Sequence, residues 1–204
     1  MDAGRFGRIS LVEATIKWWR SQEYYDSGAW RGTWELDGGG ALLNQSIYTI
    51  DPLLHFMGDA HNAQADAALI AHNGIEFEDT AAAIMRFDCG ALGIIQGSTA
   101  CWSASGHPAG IQICGDRGLV FMSDDRFRVW EISDETAGDD ETREAYKIDA
   151  SSAGAGAADP SAIDFSGHQR NFDDAIAAFR EGRAPSVDGR RPGGRKKCES
   201  LFEN

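Results

Sequence analysis

Apolar and polar residues alternate with a period of two along much of the chain, which is the pattern of half-buried β-strands. The first such run, residues 9–19, is rich in β-branched and aromatic side chains. Six further runs cover residues 63–71, 78–87, 91–100, 111–114, 119–122 and 127–132. Several are separated by turns as short as Asp88-Cys89-Gly90, so their strands must be antiparallel, because a parallel crossover needs a dozen or more residues. The pattern predicts an antiparallel meander of five or six strands in the middle of the chain.

Helical spacing replaces the alternation after residue 40. The apolar residues there are Leu43, Ile47, Ile50, Leu54 and Met57. Pro52 interrupts the pattern, because proline removes a hydrogen bond and crowds the carbonyl four residues back. Either the helix kinks at this point, or Asp51 caps a second short helix that begins at Pro52.

The last third of the chain predicts a loop, a helix and a tail. Residues 133–163, first acidic and then rich in Ala, Gly and Ser, indicate a solvated surface loop. Residues 168–182 predict an amphipathic helix with Phe172, Ile176 and Phe179 facing inward and Gly182 as its C-terminal stop. Residues 191–204 form a divergent basic tail that we expect to be frayed.

These elements define an α+β fold: one open, mainly antiparallel β-sheet with helices packed on one face. Several strands carry apolar residues at both parities, as in the segments AAAIMRF and ALGIIQG. The second sheet face therefore also needs a cover, and a partner sheet or second subunit is the natural one. We expect this face to be available for oligomerisation.

Composition and charge narrow the possible functions. The chain has 204 residues and a formal net charge of −13, which repels nucleic-acid phosphates. No apolar run approaches the length of about 18 residues that a membrane span needs. The first ten residues lack the apolar region of a signal peptide, so we expect a cytoplasmic protein that binds neither nucleic acid nor membrane.

The metal-ligating residue types form no recognisable site. None of the four cysteines, Cys89, Cys101, Cys114 and Cys198, belongs to a CxxC pair. Three of them lie in or beside apolar runs, which predicts buried, reduced thiols. Asp51 and His55 lie one helical turn apart, but two residues do not make a metal site, so no metal is predicted.

The segment WRGTWELDGGGALLNQSIYTID, residues 30–51, carries the clearest candidate chemistry. Gly39 and Gly40 belong to a run of three glycines that lets the backbone turn sharply and approach a ligand closely. The helix that follows has free N–H groups at its start, which favour oxygen-rich ligands. Asn44 and Tyr48 are four residues apart, so both would project from one face of that helix. The alternative is a tight loop followed by a helical turn with two partly buried polar residues.

Aromatic and cationic side chains flank this turn. Lys17, Trp18 and Arg20 end the first strand, and Trp30 and Arg31 lie in the loop before the glycines. Aromatic rings stack on the C–H faces of sugars and guanidinium groups pair with carboxylates, so this set could line a site for a sugar or sugar acid. Alternatively, the tryptophans belong to the core and the cations to the solvent.

Seven segments, in this order, carry a resemblance: GRFGRI, YY, WRGTWELDGGGALLNQSIYTID, FMG, IEFEDTAAAIMRFDCGALGIIQGSTA, ICGDRGLVFMSDDRFRVWE and GHQRNFDDAIAAFREGRAPSVDGR. They resemble the C-terminal domain of the glucose–fructose oxidoreductase, inositol dehydrogenase and rhizopine-catabolism family. The likeness runs from about residue 4 to residue 190. It implies that residues 1–190 are a substrate-binding and oligomerisation domain that forms a homodimer or homotetramer through its sheet face.

The resemblance also implies a partner domain and a cofactor. Family members have an N-terminal Rossmann domain that binds NAD or NADP and supplies a lysine from a Glu-Lys-Pro-like motif. No strand–GxGxxG–helix unit occurs in these 204 residues. We therefore expect no tight cofactor binding by this chain.

The family's catalytic helix carries an acidic or amide residue and, four residues later, a histidine. The matching positions here hold Asn44 and Tyr48. Asn44 can orient a sugar hydroxyl but cannot act as a base. Tyr48 has an ordinary pKa near 10, so it needs a nearby cation to ionise, and the lysine of the absent domain is the candidate. In a complete enzyme, Trp18, Trp30 and Arg31 would hold the sugar ring.

Three functions fit these observations. The first is the substrate-binding domain of an NAD(P)-dependent oxidoreductase acting on a sugar, polyol or sugar acid, inactive as this isolated chain. The second is a stand-alone, non-enzymatic module for ligand binding and oligomerisation. The third is catalysis in trans with a separately encoded Rossmann partner.

Overall fold

A computed structural model describes residues 4–124, 126–147, 157 and 166–187. The strands are β1 (Ile9–Lys17), β2 (Ala60–Ala68), β3 (Thr80–Phe87), β4 (Leu92–Ser98), β5 (Gly110–Gly115), β6 (Gly118–Ser123) and β7 (Arg126–Ile132). The α-helices are α1 (Gln22–Asp26), α2 (Ile47–Met57), α3 (Ala137–Ala145) and α4 (Ser166–Glu181). A π-helical turn, Ala41–Ser46, runs directly into α2.

The seven strands form one open sheet in the order β2-β3-β4-β1-β5-β6-β7. All neighbouring pairs are antiparallel except β1 and β4, which are parallel. The predicted α+β fold with a mainly antiparallel open sheet is confirmed. The central position of β1 was not predicted, because its partners β4 and β5 lie far along the chain and no tight turn reports their register.

The helix-covered sheet face forms the core. Val12, Ala14 and Ile16 of β1 are completely buried on this face, and Ile50 and Leu53 of α2 are completely buried above the sheet in the same cluster. Full burial of each aliphatic side chain of this size contributes about 1.5–3 kcal/mol. The packing of the π-turn and α2 on the central strands fixes the position of the glycine turn that precedes them.

Pro52 lies inside a single helix. Because proline has no N–H, the α-helical hydrogen bond from residue 52 to the carbonyl of Tyr48 is missing from α2. The second short helix considered as an alternative, with Asp51 as its cap, does not form. Gly58, with a φ of 76°, ends α2 by donating its N–H to the Leu54 carbonyl at 2.8 Å.

The acidic segment after β7 contains a helix, so the prediction of a surface loop over residues 133–163 is wrong at α3. Thr136 and Asp139 form a capping box at the start of α3. Arg5 and Trp130 also donate hydrogen bonds to the buried Asp139 carboxylate. These hydrogen bonds, led by that of Arg5, hold the pKa of Asp139 far below its ordinary value. Tertiary partners therefore stabilise a helix that local hydrophobicity did not predict.

Helix α4 is confirmed, but its predicted orientation is wrong. Phe172 and Ile176 are exposed, and Phe179 is 90% exposed. Gly182 has a φ of 67° and ends the helix as predicted. The apolar pattern shows which side of a helix is hydrophobic, but not whether another element covers it. The basic tail, residues 191–204, lies outside the described residues.

The cysteines differ from the prediction in burial. Cys89 and Cys101 are exposed and Cys114 is half-buried, and all three are free thiols. Cys89 lies in the turn between β3 and β4, and Cys101 follows β4, so neither reaches the core that its apolar neighbours enter. Cys198 lies outside the described residues.

Candidate functional site

A small, shallow pocket that is open to solvent lies where the glycine turn meets the π-turn. Tyr24, Tyr25 and Phe77 provide its aromatic part. Asp37, Asn44 and Gln45 provide its polar part, and Gly39 and Gly40 complete the lining. Rings beside a few convergent polar groups are the ordinary lining of a small-molecule site.

The glycines pack closely against Glu78 and Leu43. A Cβ on Gly40 would collide with the backbone carbonyl and carboxylate of Glu78, and one on Gly39 would lie 2.6 Å from the Leu43 side chain. Glu78 also accepts hydrogen bonds from the N–H groups of Ala41 at 3.0 Å and Leu42 at 3.1 Å. The sequence predicted free N–H groups at the helix start. The N–H groups of Ala41 and Leu42 are instead bonded to Glu78. Burial raises the pKa of Glu78, although the hydrogen bond from Leu42 acts in the opposite direction.

The two predicted reaction residues differ in their surroundings. Asn44 lines the pocket, whereas Tyr48 lies in the first turn of α2 and is 67% exposed. Tyr48 is therefore not part of the pocket lining, and a common role for the two side chains stays a prediction. Within the described residues the Tyr48 hydroxyl has no hydrogen-bond partner.

A chain of hydrogen-bonded side chains runs behind the pocket. Arg20 Nη2 donates to Gln45 Oε1 at 2.8 Å, and Gln45 Nε2 donates to Asn44 Oδ1 at 2.8 Å. Asn44 Nδ2 in turn donates to Asp37 Oδ1. The second oxygen of Asp37, Oδ2, accepts from the Gly32 N–H at 3.0 Å. The chain therefore ends at a carboxylate that lines the pocket.

The other end of this chain is buried. Arg20 is only 2% exposed, and its Nη1 donates to the Trp19 carbonyl at 2.8 Å. Its own backbone carbonyl lies 2.8 Å from His72 Nε2, and His72 Nδ1 lies 2.9 Å from Asp79 Oδ2. Both ring nitrogens of His72 therefore lie within hydrogen-bond distance of an oxygen atom.

Asp79 is completely buried and accepts four hydrogen bonds. Three come from the backbone N–H groups of Ile70, Ala71 and His72, and the fourth comes from the His72 ring. Burial alone would raise the pKa of Asp79, but these hydrogen bonds outweigh it and hold the pKa below its ordinary value. Tyr25, which lines the pocket, packs edge-on against His72.

Arg31 lies beside the pocket between two aromatic rings. Its guanidinium carbon lies 4.1 Å from the centre of the Tyr24 ring and 4.3 Å from that of Trp30. No carboxylate pairs with it in the described part of the chain. The two rings therefore hold a cation whose hydrogen-bond donors remain available.

Two further residues predicted for the site, Trp18 and Lys17, do not line the pocket. Trp18 packs beneath Arg20, with 5.1 Å between the guanidinium carbon and the ring centre. Lys17 alternates with the buried Ile16 on β1 and so projects from the opposite sheet face. The pocket thus includes Gly39, Gly40 and Asn44, has Trp30 and Arg31 at its side, and does not include Lys17 or Tyr48.

Sequence reasoning missed Asp37, Gln45, His72 and Asp79. Asp37 could have been found, because a carboxylate directly before a glycine run is well placed to meet a ligand. His72 and Asp79 had no such signal, because His72 contacts the backbone of Arg20, 52 residues away, and Asp79 reaches that contact only through His72.

The described residues do not fit a dinucleotide. A Rossmann site needs parallel strands joined through a glycine-rich turn and a helix. Here the one parallel pair in the described sheet, β1 and β4, is separated in sequence by two other strands, and the N–H groups that open the π-turn bind Glu78. No reaction step is therefore assigned through NAD(P) in this chain.

The described residues contain neither a metal-ligating cluster nor a membrane-spanning helix. No group of three or more His, Cys, Asp or Glu side chains is placed to hold a metal ion. None of the helices there is long and apolar enough to cross a membrane.

Fold and site together define a domain of mainly antiparallel sheet with a small pocket at its glycine turn. A family model described as the GFO/IDH/MocA C-terminal domain matches residues 1–121. The chain belongs to this family. A search of curated proteins found no significant match.

Solved structures agree with this assignment. The WlbA dehydrogenase from Bordetella pertussis, in complex with NADH and UDP-GlcNAcA, is 31% identical, with a TM-score of 0.77 over 98% of this chain and 53% of its own. The WlbA dehydrogenase from Chromobacterium violaceum, with the same two ligands, is 33% identical, with a TM-score of 0.78 over 98% and 52%. An oxidoreductase from Agrobacterium radiobacter, 15% identical with a TM-score of 0.63 over 98% and 54%, shares the fold alone. The chain therefore spans about half the length of these relatives.

Proposed function

We propose that this chain is the substrate-binding domain of an NAD(P)-dependent oxidoreductase that acts on a sugar, polyol or sugar acid, and that it is inactive in isolation. The observation that carries the proposal is the pocket itself, with Tyr24 and Tyr25 beside the polar groups of Asp37 and Asn44. Its place in a C-terminal domain of the family supports the proposal. The dinucleotide would be bound by a separate domain.

The substrate we favour is a sugar that carries a negative charge. Arg31 supports this choice, because its guanidinium is held by Trp30 and Tyr24 at the side of the pocket and is not neutralised by a described carboxylate. The UDP-GlcNAcA in the WlbA complexes also supports it, since that ligand carries both a diphosphate and a uronate carboxylate. Lys17, on the other sheet face, would contribute only through the charge of the whole domain.

In a complete enzyme, Asn44 would help to position the reacting hydroxyl and Tyr48 would donate or accept its proton. The exposed Tyr48 hydroxyl has no described partner, so it is free to meet a substrate or another domain. Trp18 supports the site from below through Arg20, while Trp30 and Arg31 hold the sugar.

The sheet face opposite α2, which no described helix covers, is here called the uncovered sheet face and is the proposed oligomer interface. Leu11 faces Leu92 across β1 and β4, and Ile84 faces Ile94 across β3 and β4, with Ile84 62% exposed. A continuous apolar patch on a sheet favours association with a second sheet. Light scattering at micromolar concentration should give a dimer or tetramer, and a monomer would contradict this assignment.

Calorimetric titration tests the ligand proposal. UDP-GlcNAcA should bind more tightly than UDP-GlcNAc, which lacks the carboxylate, while NADH should show no tight binding. Arg31→Gln should weaken UDP-GlcNAcA binding about tenfold or more, because a hydrogen-bonded charge contributes roughly 1.5–3 kcal/mol. Arg180→Gln is the matched control and should leave binding unchanged, because Arg180 is exposed on α4 and does not line the pocket.

The pattern of loss identifies the anion. If Arg31→Gln abolishes the preference for UDP-GlcNAcA over UDP-GlcNAc, Arg31 binds the carboxylate. If both ligands weaken equally, it binds the diphosphate. Wild-type protein that binds neither nucleotide sugar would overturn the proposal.

A second candidate is a stand-alone, non-enzymatic module. The observation that favours it is Tyr48, which stands at the position where the family resemblance places a histidine. Turnover after addition of a family Rossmann domain and NAD would exclude this candidate and establish catalysis in trans.

A further inference from the structure

We propose that Asp37 is the hydroxyl-binding carboxylate of this pocket, and that a one-directional hydrogen-bond chain from Arg20 through Gln45 and Asn44 holds it in place. The inference rests on the proposed function, because it takes a sugar as the ligand. It assigns the hydroxyl contact to Asp37 in addition to the reaction roles of Asn44 and Tyr48.

Arg20 sets the direction of the chain. Guanidinium groups only donate, so the Gln45 atom 2.8 Å from Arg20 Nη2 must be the amide oxygen. The Gln45 NH₂ group is thereby turned toward Asn44, whose oxygen lies 2.8 Å away. The Asn44 NH₂ group is then left to face Asp37. Each amide has one orientation that satisfies both of its neighbours.

Arg20 is itself fixed from two sides. Its guanidinium is buried and donates to the Trp19 and Ala157 carbonyls at 2.8 and 3.4 Å. Its backbone carbonyl is held by the His72 ring, which is in turn held by Asp79. The hydrogen-bond chain therefore begins among buried residues and fixes the orientation of the side chains that reach the pocket.

Asp37 is the residue of the hydrogen-bond chain that would contact the ligand, because it ends the chain and lines the pocket. The Asn44 amide is engaged at both ends, so its main effect is to position Asp37. The carboxylate has about four acceptor positions, and the described contacts from Asn44 and Gly32 use two of them. The remaining positions can accept from sugar hydroxyl groups, which are donors, whereas the anionic group of the ligand would be held at Arg31.

Substitution of Asp37 separates hydroxyl binding from simple charge effects. Asp37→Asn keeps the size of the side chain but replaces an acceptor oxygen by a donor. Removing a negative charge should, by itself, favour an anionic probe. We therefore expect Asp37→Asn to weaken UDP-GlcNAcA binding about tenfold or more in spite of its more favourable charge, because a hydrogen bond to a charged group is lost.

Glu35→Gln is the matched control. Glu35 is exposed, lies on the same loop and makes no described side-chain contact, so its substitution removes the same charge without touching the chain. We expect binding within twofold of wild type. Equal binding by Asp37→Asn and Glu35→Gln would overturn the inference while leaving the proposed function intact.

A readout without ligand covers the case in which the wild type does not bind the nucleotide sugar. In the proton–nitrogen NMR spectrum of the ligand-free protein, Asp37→Asn should shift the resonances of the Asn44 side-chain amide. The Gln45 amide should shift less, and Glu35→Gln should leave both amides unchanged. Asn44 and Gln45 amides that are unchanged in Asp37→Asn, or that shift equally in Glu35→Gln, would overturn the chain whether or not the probe binds.

Discussion

Two carboxylates mark the ends of one polar network, and they differ in how completely the protein satisfies them. Asp79 is completely buried and accepts three backbone hydrogen bonds and one from His72. Asp37 lines the pocket and accepts described hydrogen bonds only from Asn44 and Gly32. Between them lie His72, Arg20, Gln45 and Asn44. A carboxylate whose acceptors are all used supports the fold, whereas one with acceptors left over at a pocket can serve a ligand.

Asp79, the carboxylate whose acceptors are all used, should therefore contribute strongly to the stability of the fold. Asp79→Ala leaves three backbone N–H groups and the His72 ring without their acceptor in a buried place. We expect this change to lower the free energy of unfolding by about 3 kcal/mol or more at pH 7, because each buried donor left without an acceptor costs about 1–3 kcal/mol. Urea denaturation followed by circular dichroism measures it.

The same variant has a defined pH dependence. The pKa of Asp79 is lower in the folded state than in the unfolded state, so the folded state favours the ionised form. Its stabilisation is complete above the unfolded pKa of about 3.9 and is lost as the pH falls below it. The difference between wild type and Asp79→Ala should therefore narrow as the pH falls from about 5 toward 3.

An exposed carboxylate provides the control for both measurements. Asp66 lies on β2 and makes no described side-chain hydrogen bond. Asp66→Ala should leave both the stability at pH 7 and its pH dependence close to those of wild type. A comparable loss of stability in Asp66→Ala, or a difference for Asp79→Ala that stays constant with pH, would mean that the ionised carboxylate of Asp79 is not what stabilises the fold.

Asp37, the carboxylate with unused acceptor positions, should have little effect on stability. Asp37→Asn affects a half-exposed side chain with few internal partners, so we expect a change in unfolding free energy within about 0.5 kcal/mol. The same denaturation experiment measures it. A loss as large as that of Asp79→Ala would remove the distinction between the two ends and make Asp37 a structural residue.

Much of the fold could be predicted from the sequence because its strands are joined by short turns. The turn at Gly90, with a φ of 89°, required an antiparallel pair, and that pair is β3 and β4. The insertion of β1 beside β4 was not predictable in this way, since its contacts are long-range. Helix α3 was missed because Asp139 receives its stabilising partners, Arg5 and Trp130, from other elements.

The candidate site was predictable in part for the same reason. The glycine run and Asn44 are neighbours in sequence, and both line the pocket. The π-turn had no local sequence signal: the Ser46 hydroxyl donates to the Ala41 carbonyl at 2.8 Å and packs against Gly97 of β4, where a Cβ would lie 2.6 Å from Ser46 Oγ. Gln45 lines the pocket beside Asn44, and Tyr48 does not.

One measurement tests the central claim most directly: mapping UDP-GlcNAcA binding residue by residue on the wild-type chain by NMR chemical shifts. The account predicts that the largest shifts occur at Arg31, Asp37, Asn44 and Gln45, with little change on the uncovered sheet face around Ile84. An unchanged spectrum at millimolar ligand, or shifts centred on that sheet face, would contradict the claim that the glycine-turn pocket is a sugar-binding site.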